Sequence, residues 1–374
     1  MKIDNWTRGI FTVFLLIQVV PLEDPGIFQI TQDTARQWSP AIDENIVVWT
    51  DWRNVKTFSS YNLDIYGYEL LTRKEFQITK DQDAQEFPAI YGNIVVWEDN
   101  RNGNEDIYRY NLVTQEEFQI TEDPSFQSYP AIYGNIVVWE DRRNGNEDIY
   151  GYNLVTREEF QITEDQGNQE YPAIYGNIVV WEDRRNGNED IYGYNLVTQE
   201  EFQITSNSKR QSAPALFRDI VVWQDNRNGN YDIFGYNLST KEEFSIITNP
   251  GDQVWPKIYG DIVVWTNLGY DRLDVSGYNL STKEEFWIWA GKEAVICREY
   301  IVWTSREDIF GCNLHEKQQT TLPETAPPET APPETAPPET APPETAPFSV
   351  IILIGALIGI FILSYFFIQK KRTG

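Results

Sequence analysis

The chain has 374 residues, with 57 Asp and Glu against 30 Lys and Arg, a net charge of −27; that length holds two or three average domains or one large repeat domain. So acidic a surface repels phosphate backbones and argues against DNA or RNA as a partner. Hydrophobic content of 41% with 14% aromatics supplies a core, while one histidine and two cysteines exclude a histidine-rich metal site and a disulfide scaffold.

Residues 1–25 read as an export segment. Lys2 and Arg8 precede the apolar run from Gly9 to Val20. Twelve residues match a signal-peptide h-region and are too short to cross a bilayer. No small-x-small cleavage pattern follows.

Residues 26–318 form a repeat. The motif Ile-Val-Val-Trp recurs with its Trp at 49, 97, 139, 181, 223 and 265, and a variant ends at Trp303. A spacing of 42 dominates, which signals a repeat architecture. A proline sits nine residues before the Trp in six copies, from Pro40 to Pro256. One copy predicts strands over 173–175, 178–182, 190–195 and 202–205, with Gly176-Asn177 and Asn186-Gly187 as turns. Ile178 and Val180 point to one side, Val179 and Trp181 to the other. Both faces are apolar, so the sheet needs cover on both, as stacked propeller blades provide. The expected fold is all-β, a seven-bladed β-propeller of four-stranded blades. Phe28-Gln-Ile-Thr31 matches a fourth strand with no blade before it, and the last blade has Thr320 where its fourth-strand Phe belongs. The N-terminal strand is therefore expected to complete the last blade and close the ring.

These motifs, Pro-Ala-Ile-x-Gly-Asn-Ile-Val-Val-Trp-Glu-Asp, Arg-Asn-Gly-Asn-x-Asp-Ile-Tyr and Phe-Gln-Ile-Thr, resemble the TolB-type, WD40-like propeller repeat over about residues 26–315. The likeness is to the form of the repeat found in archaeal surface proteins. The resemblance implies a propeller, export, and a binding or scaffolding role; it implies no substrate.

Residues 319–347 are a stalk, built on five copies of Pro-Glu-Thr-Ala-Pro from Pro323 to Pro347. Proline fixes φ and removes donors, so an extended polyproline II rod of roughly 78 Å is expected, with threonines able to carry O-linked sugar. Residues 348–368 carry no charge and span about 31 Å as a helix, the thickness of a hydrocarbon core. The basic tail, 369–374, should stay cytoplasmic and leave the propeller outside the cell. Leu322-Pro-Glu-Thr-Ala326 resembles a cell-wall sorting pentapeptide but lies far from the helix, so the anchor reads as retained.

Departures from the repeat mark candidate sites. The first blade inserts six residues carrying Trp52, Arg53, Lys56, Phe58 and Tyr61; the sixth replaces its Asn-Gly turn with Gly269-Tyr270-Asp271-Arg272; the seventh shortens its loops. In a propeller these loops share one rim, which makes an aromatic, charged site for a protein or glycan. The loop with Asp141, Asn144, Asn146 and Asp148 offers oxygens to calcium but lacks the alternation of an EF-hand loop; a hairpin tied by an Asp–Arg pair is the preferred reading, and no cofactor is expected. His315 ends the last blade, away from any pocket that a nucleophile–histidine device needs. Cys297 and Cys312 fall on strands that flank a third, roughly 9–10 Å apart against the 7 Å limit of a disulfide. Export favours the bridge and spacing opposes it. Asn237 and Asn279 begin glycosylation sequons in exposed turns. The function expected is a non-catalytic, membrane-anchored surface protein that binds or scaffolds. The alternatives are a structural envelope or cell-contact protein, or a carbohydrate-active enzyme using paired carboxylates.

Overall fold

A computed structural model describes residues 26–56, 61–269 and 272–316. The export segment, stalk, apolar helix and basic tail lie outside the described residues, as do Phe58, Tyr270 and Asp271. Among the described residues no helix is long and apolar enough to cross a membrane.

The repeat unit is a four-stranded antiparallel sheet. Blade four runs Gln169–Tyr175, Ile178–Asp183, Asp190–Asn195 and Glu200–Gln203, paired in chain order. Its first strand starts four residues before the expected 173. Pro172 has no N–H to donate, and the ladder passes it through a bulge between Glu170 and Ala173 with Tyr171 at φ 53°. The fourth strand lies two residues earlier than expected. Beyond Gln203 the backbone leaves the ladder: Ile204 and Thr205 both donate to the Ile191 carbonyl, and Thr205 Oγ1 accepts from Ile191 N at 2.8 Å. Gly193 faces Phe202 across the ladder, and a Cβ there would meet the ring at 2.7 Å. Blade two carries Arg109 at the same place; its guanidinium lies 5.2 Å from the Phe118 ring, which is 36% exposed.

Seven such sheets form the propeller. First strands of successive blades touch in a closed cycle, so they line the axis and the fourth strands face outward. Each interblade layer buries one apolar cluster. Val180, Ile191 and Ile204 of blade four pack on Leu216, Val221 and Trp223 of blade five, while Val179 and Trp181 pack toward blade three. All seven motif tryptophans are fully buried, each worth roughly 3–5 kcal/mol by the cost of truncating it to Ala.

The N-terminal strand, Ile27–Gln29, closes the ring. It pairs antiparallel with Asp308–Asn313, Phe28 opposite Gly311, so the seventh blade takes its fourth strand from the far end of the chain. Ile30 seals the join among Val47, Trp49, Val302 and Ile309. No blade is left with an uncovered apolar face.

Candidate functional site

Blades one to five share one device on a single rim. The Trp139 indole donates to Asp141 Oδ2 at 3.0 Å. Asp141 also holds Arg143 at 2.6 Å, and that guanidinium lies 4.2 Å from the Tyr150 ring centre and reaches Glu159. Asn144 and Asn146 turn amide N–H groups to Asp148 at 2.7 and 3.1 Å. Asn146 also donates to the Asp165 and Gly167 carbonyls. This last pair of bonds ties the second-to-third loop to the link leading into the next blade, so both lie on one face. The four residues considered as oxygen ligands are therefore occupied by one another and by Arg143. Among the described residues no group of three His, Cys, Asp or Glu side chains is placed to hold a metal ion.

The device ends at blades six and seven. Trp265 donates to Asn267 instead of an aspartate. Trp303 has Ser305 at that place, and its buried indole N–H has no partner among the described residues. Gly291 stands where six blades carry a buried glutamine, from Gln37 to Gln253. Gly291 has φ 153°, and a Cβ on it would come within 2.5 Å of the Trp303 ring. Only glycine fits there. The loop of blade seven shrinks to Arg306-Glu307, both with positive φ (52° and 71°), where Asn-Gly would be relaxed.

The result is an open cavity of about 450 Å³ between blades six, seven and one. Arg36, Trp38, Lys292, Arg306 and Glu307 line it together with Leu273, Ala290 and Gly291. Trp38 packs edge-on against Trp52 at 5.2 Å, and Arg36 lies over Trp52 and pairs with Glu307 at 3.0 Å. That chain of contacts joins the wall from blade one to blade seven. Asp274, beside Leu273 and opposite Ala290, pairs with Arg272 at 2.9 Å through one oxygen; its other oxygen is buried without a partner among the described residues. The cause is local, because Trp287 and Trp289 replace the Gln and Thr that approach this aspartate in blades two to four.

No family model and no curated protein matches the sequence. Solved structures do. TolB from Acinetobacter baumannii is 16% identical, with 64% of this chain covering 63% of that one and a TM-score of 0.50. An oligogalacturonate lyase from Vibrio parahaemolyticus is 12% identical over 77% of this chain and 93% of its own, with a TM-score of 0.58. The propeller domain of the Trilobed protease from Pyrococcus furiosus, described as an open velcro topology, is 13% identical over 74% and 95%, with a TM-score of 0.59. The chain shares the β-propeller fold with TolB. At these identities the likeness establishes the fold alone, and TolB, a lyase and a protease domain all carry it.

A second group on the same rim bridges blades two to five. Glu98, Glu140 and Glu182 follow their motif tryptophans and accept the N–H of Tyr129, Tyr171 and Ala213 in the next blade, at 2.6 Å for Glu98 and Glu182. Burial, reinforced by neighbouring glutamates, pushes Glu140 up to about 8 and Glu182 up to about 7, and holds Glu98 well above the usual carboxylate range.

The sequence candidates fall into three groups. Trp52 does not line the cavity; it packs edge-on behind Trp38, which does. Arg53 belongs to the repeated device, held by Asp51 and Glu75, and does not face the cavity. Lys56 and Tyr61 are exposed, Tyr61 at 62%, and Arg272 is taken up by Asp274. Cys297 and Cys312 are buried and form no disulfide. They sit diagonally across the middle strand, Cys297 opposite Tyr300 and Cys312 opposite Ile301. Burial pushes the Cys297 thiol up to about 12. Asn237 and Asn279, expected in exposed turns, are half-buried at the start of those turns, and their side-chain oxygens cap Ser239, Thr240, Ser281 and Thr282. His315 is exposed and outside the cavity. Arg36, Trp38, Gly291, Lys292 and Arg306 escaped the sequence reading. The absent glutamine at Gly291 was the signal that would have found them.

Proposed function

We propose that this chain is a non-catalytic binding protein of the cell surface. On this reading residues 1–25 direct export, residues 319–347 form the spacer, and residues 348–368 anchor the chain in the membrane with the tail inside. The propeller then takes a glycan or a protein loop in the cavity between blades six, seven and one. One observation carries the reading: the repeated Trp–Asp–Arg device is lost in two of the three blades around this cavity, and the cavity is lined by aromatic and charged groups. A cavity of about 450 Å³ falls within the range of small-ligand sites, roughly 300–1,000 Å³. The test is a glycan and peptide array probed with the full chain. Trp38→Ala should abolish any hit. Leu71→Ala, at an exposed turn outside the cavity, should leave it intact. Hits indifferent to Trp38→Ala would remove the cavity from the account, and turnover of a polysaccharide would make the protein an enzyme.

A further inference from the structure

Resting on that reading of the cavity, we infer that its ligand is an oligosaccharide carrying a uronic-acid carboxylate. The charge balance points there first. In a chain of net charge −27 the cavity lining among the described residues holds three cations, Arg36, Lys292 and Arg306, against one carboxylate, Glu307. Arg36 pairs with Glu307 and Lys292 with Glu293. Arg306 is exposed and has no carboxylate partner among the described residues. A planar guanidinium fork matches a planar carboxylate with two parallel hydrogen bonds.

The backbone under Arg306 supports the assignment. A two-residue turn with positive φ at both positions suits Asn-Gly, and here it holds Arg306 and Glu307 in the strained region instead. The tight turn carries this charged pair to the cavity mouth.

The remaining groups suit a sugar. Trp38 offers an indole to the apolar C–H surface of a pyranose, and the edge contact from Trp52 holds it in place. Glu293, Glu307 and Asp274 nearby disfavour a doubly charged phosphate and tolerate a singly charged carboxylate.

The experiment is calorimetric titration of the full chain with trigalacturonic acid and with its methyl ester, which keeps the ring and removes the charge. The acid should bind, and esterification should weaken binding roughly tenfold or more. Arg306→Asn keeps a residue that accepts the left-handed region; it should lower affinity for the acid by a similar factor and leave the ester unaffected, as should Lys292→Ala. Both side chains reach solvent, and unchanged melting temperatures would certify the fold. Equal affinity for acid and ester, lost with Trp38→Ala, would overturn the carboxylate assignment and keep the cavity reading. Failure of the acid to bind would also overturn the assignment. Binding of the acid that survives both Trp38→Ala and Arg306→Asn would put the ligand elsewhere and overturn both.

Discussion

Replacing Glu140 by Gln should make this propeller more stable in alkaline solution. Glu140 is 4% exposed and accepts the Tyr171 N–H of the next blade, so its carboxylate sits in an interblade seam. Burial, with Glu170, Glu147 and Glu182 close by, raises its pKa from 4.5 to about 8. The folded-state value lies above the unfolded one. The group's contribution to stability is therefore intact below about pH 4.5 and is lost as the pH climbs through 8. The rise corresponds to roughly 3–5 kcal/mol by the time the carboxylate is ionised in the fold. Glutamine keeps the acceptor and drops the charge. The protein already uses that solution once, since Gln224 Oε1 accepts from Trp255 N at 2.9 Å at the same place in blade five. Thermal unfolding of the full chain at pH 5, 7 and 9 would measure the effect. Wild type and Glu140→Gln should melt together at pH 5. At pH 9 the variant should melt higher, by roughly 5–10 °C for a domain of this size. A difference between the two that stays flat from pH 5 to 9 would refute the buried, proton-binding carboxylate.

Three further outcomes are expected. Ile30→Ala should destabilise the whole propeller by about 2–4 kcal/mol, because Ile30 packs in the join between blades seven and one; denaturant unfolding that loses only the N-terminal segment would contradict closure. Thr163→Val should cost about 1–3 kcal/mol, because it keeps the shape and strands the buried Ile149 N–H that Thr163 Oγ1 now accepts at 2.8 Å; a neutral result in chemical denaturation would show that a second acceptor serves Ile149. The two thiols should resist alkylation in the native chain at pH 8, since Cys297 titrates near 12 and both are buried, and a reductant should leave the melting temperature unchanged; a drop on reduction would reveal a bridge.

The repeat made much of this molecule readable. An apolar run such as Ile178-Val-Val-Trp181, with both alternations hydrophobic, demands cover on two faces, and the clusters of blades three, four and five supply it. Closure was readable for the same reason, because Phe28 kept the spacing of a fourth strand and the last blade lacked one. The bulge at Tyr171 was harder to see. Pro172 announces that a donor is missing, but whether the strand ends there or steps around it depends on Asp183 and Glu182, which are close in space and distant in sequence. The loop aspartates also kept their meaning: Asp141 pairs with Arg143 and builds a hairpin.

The candidate site was only partly readable, and the reason is geometric. Departures from a repeat show where the pattern fails, and they point to blades one, six and seven, which border the cavity. They do not show which departures meet. Trp52 and Arg53 are neighbours in the chain, yet one backs the cavity wall and the other completes the internal ion pair of its own blade.

By itself the sequence determined the all-β class, the number of blades, and the strand that closes the ring, because each follows from a period and from the need to bury both faces of every sheet. The tertiary structure decided the site. Arg36 and Arg306 lie 270 positions apart in the chain, and they line one cavity because closing the ring sets the first blade against the last. No local pattern encodes that meeting; only the circle brings these side chains within reach of one ligand.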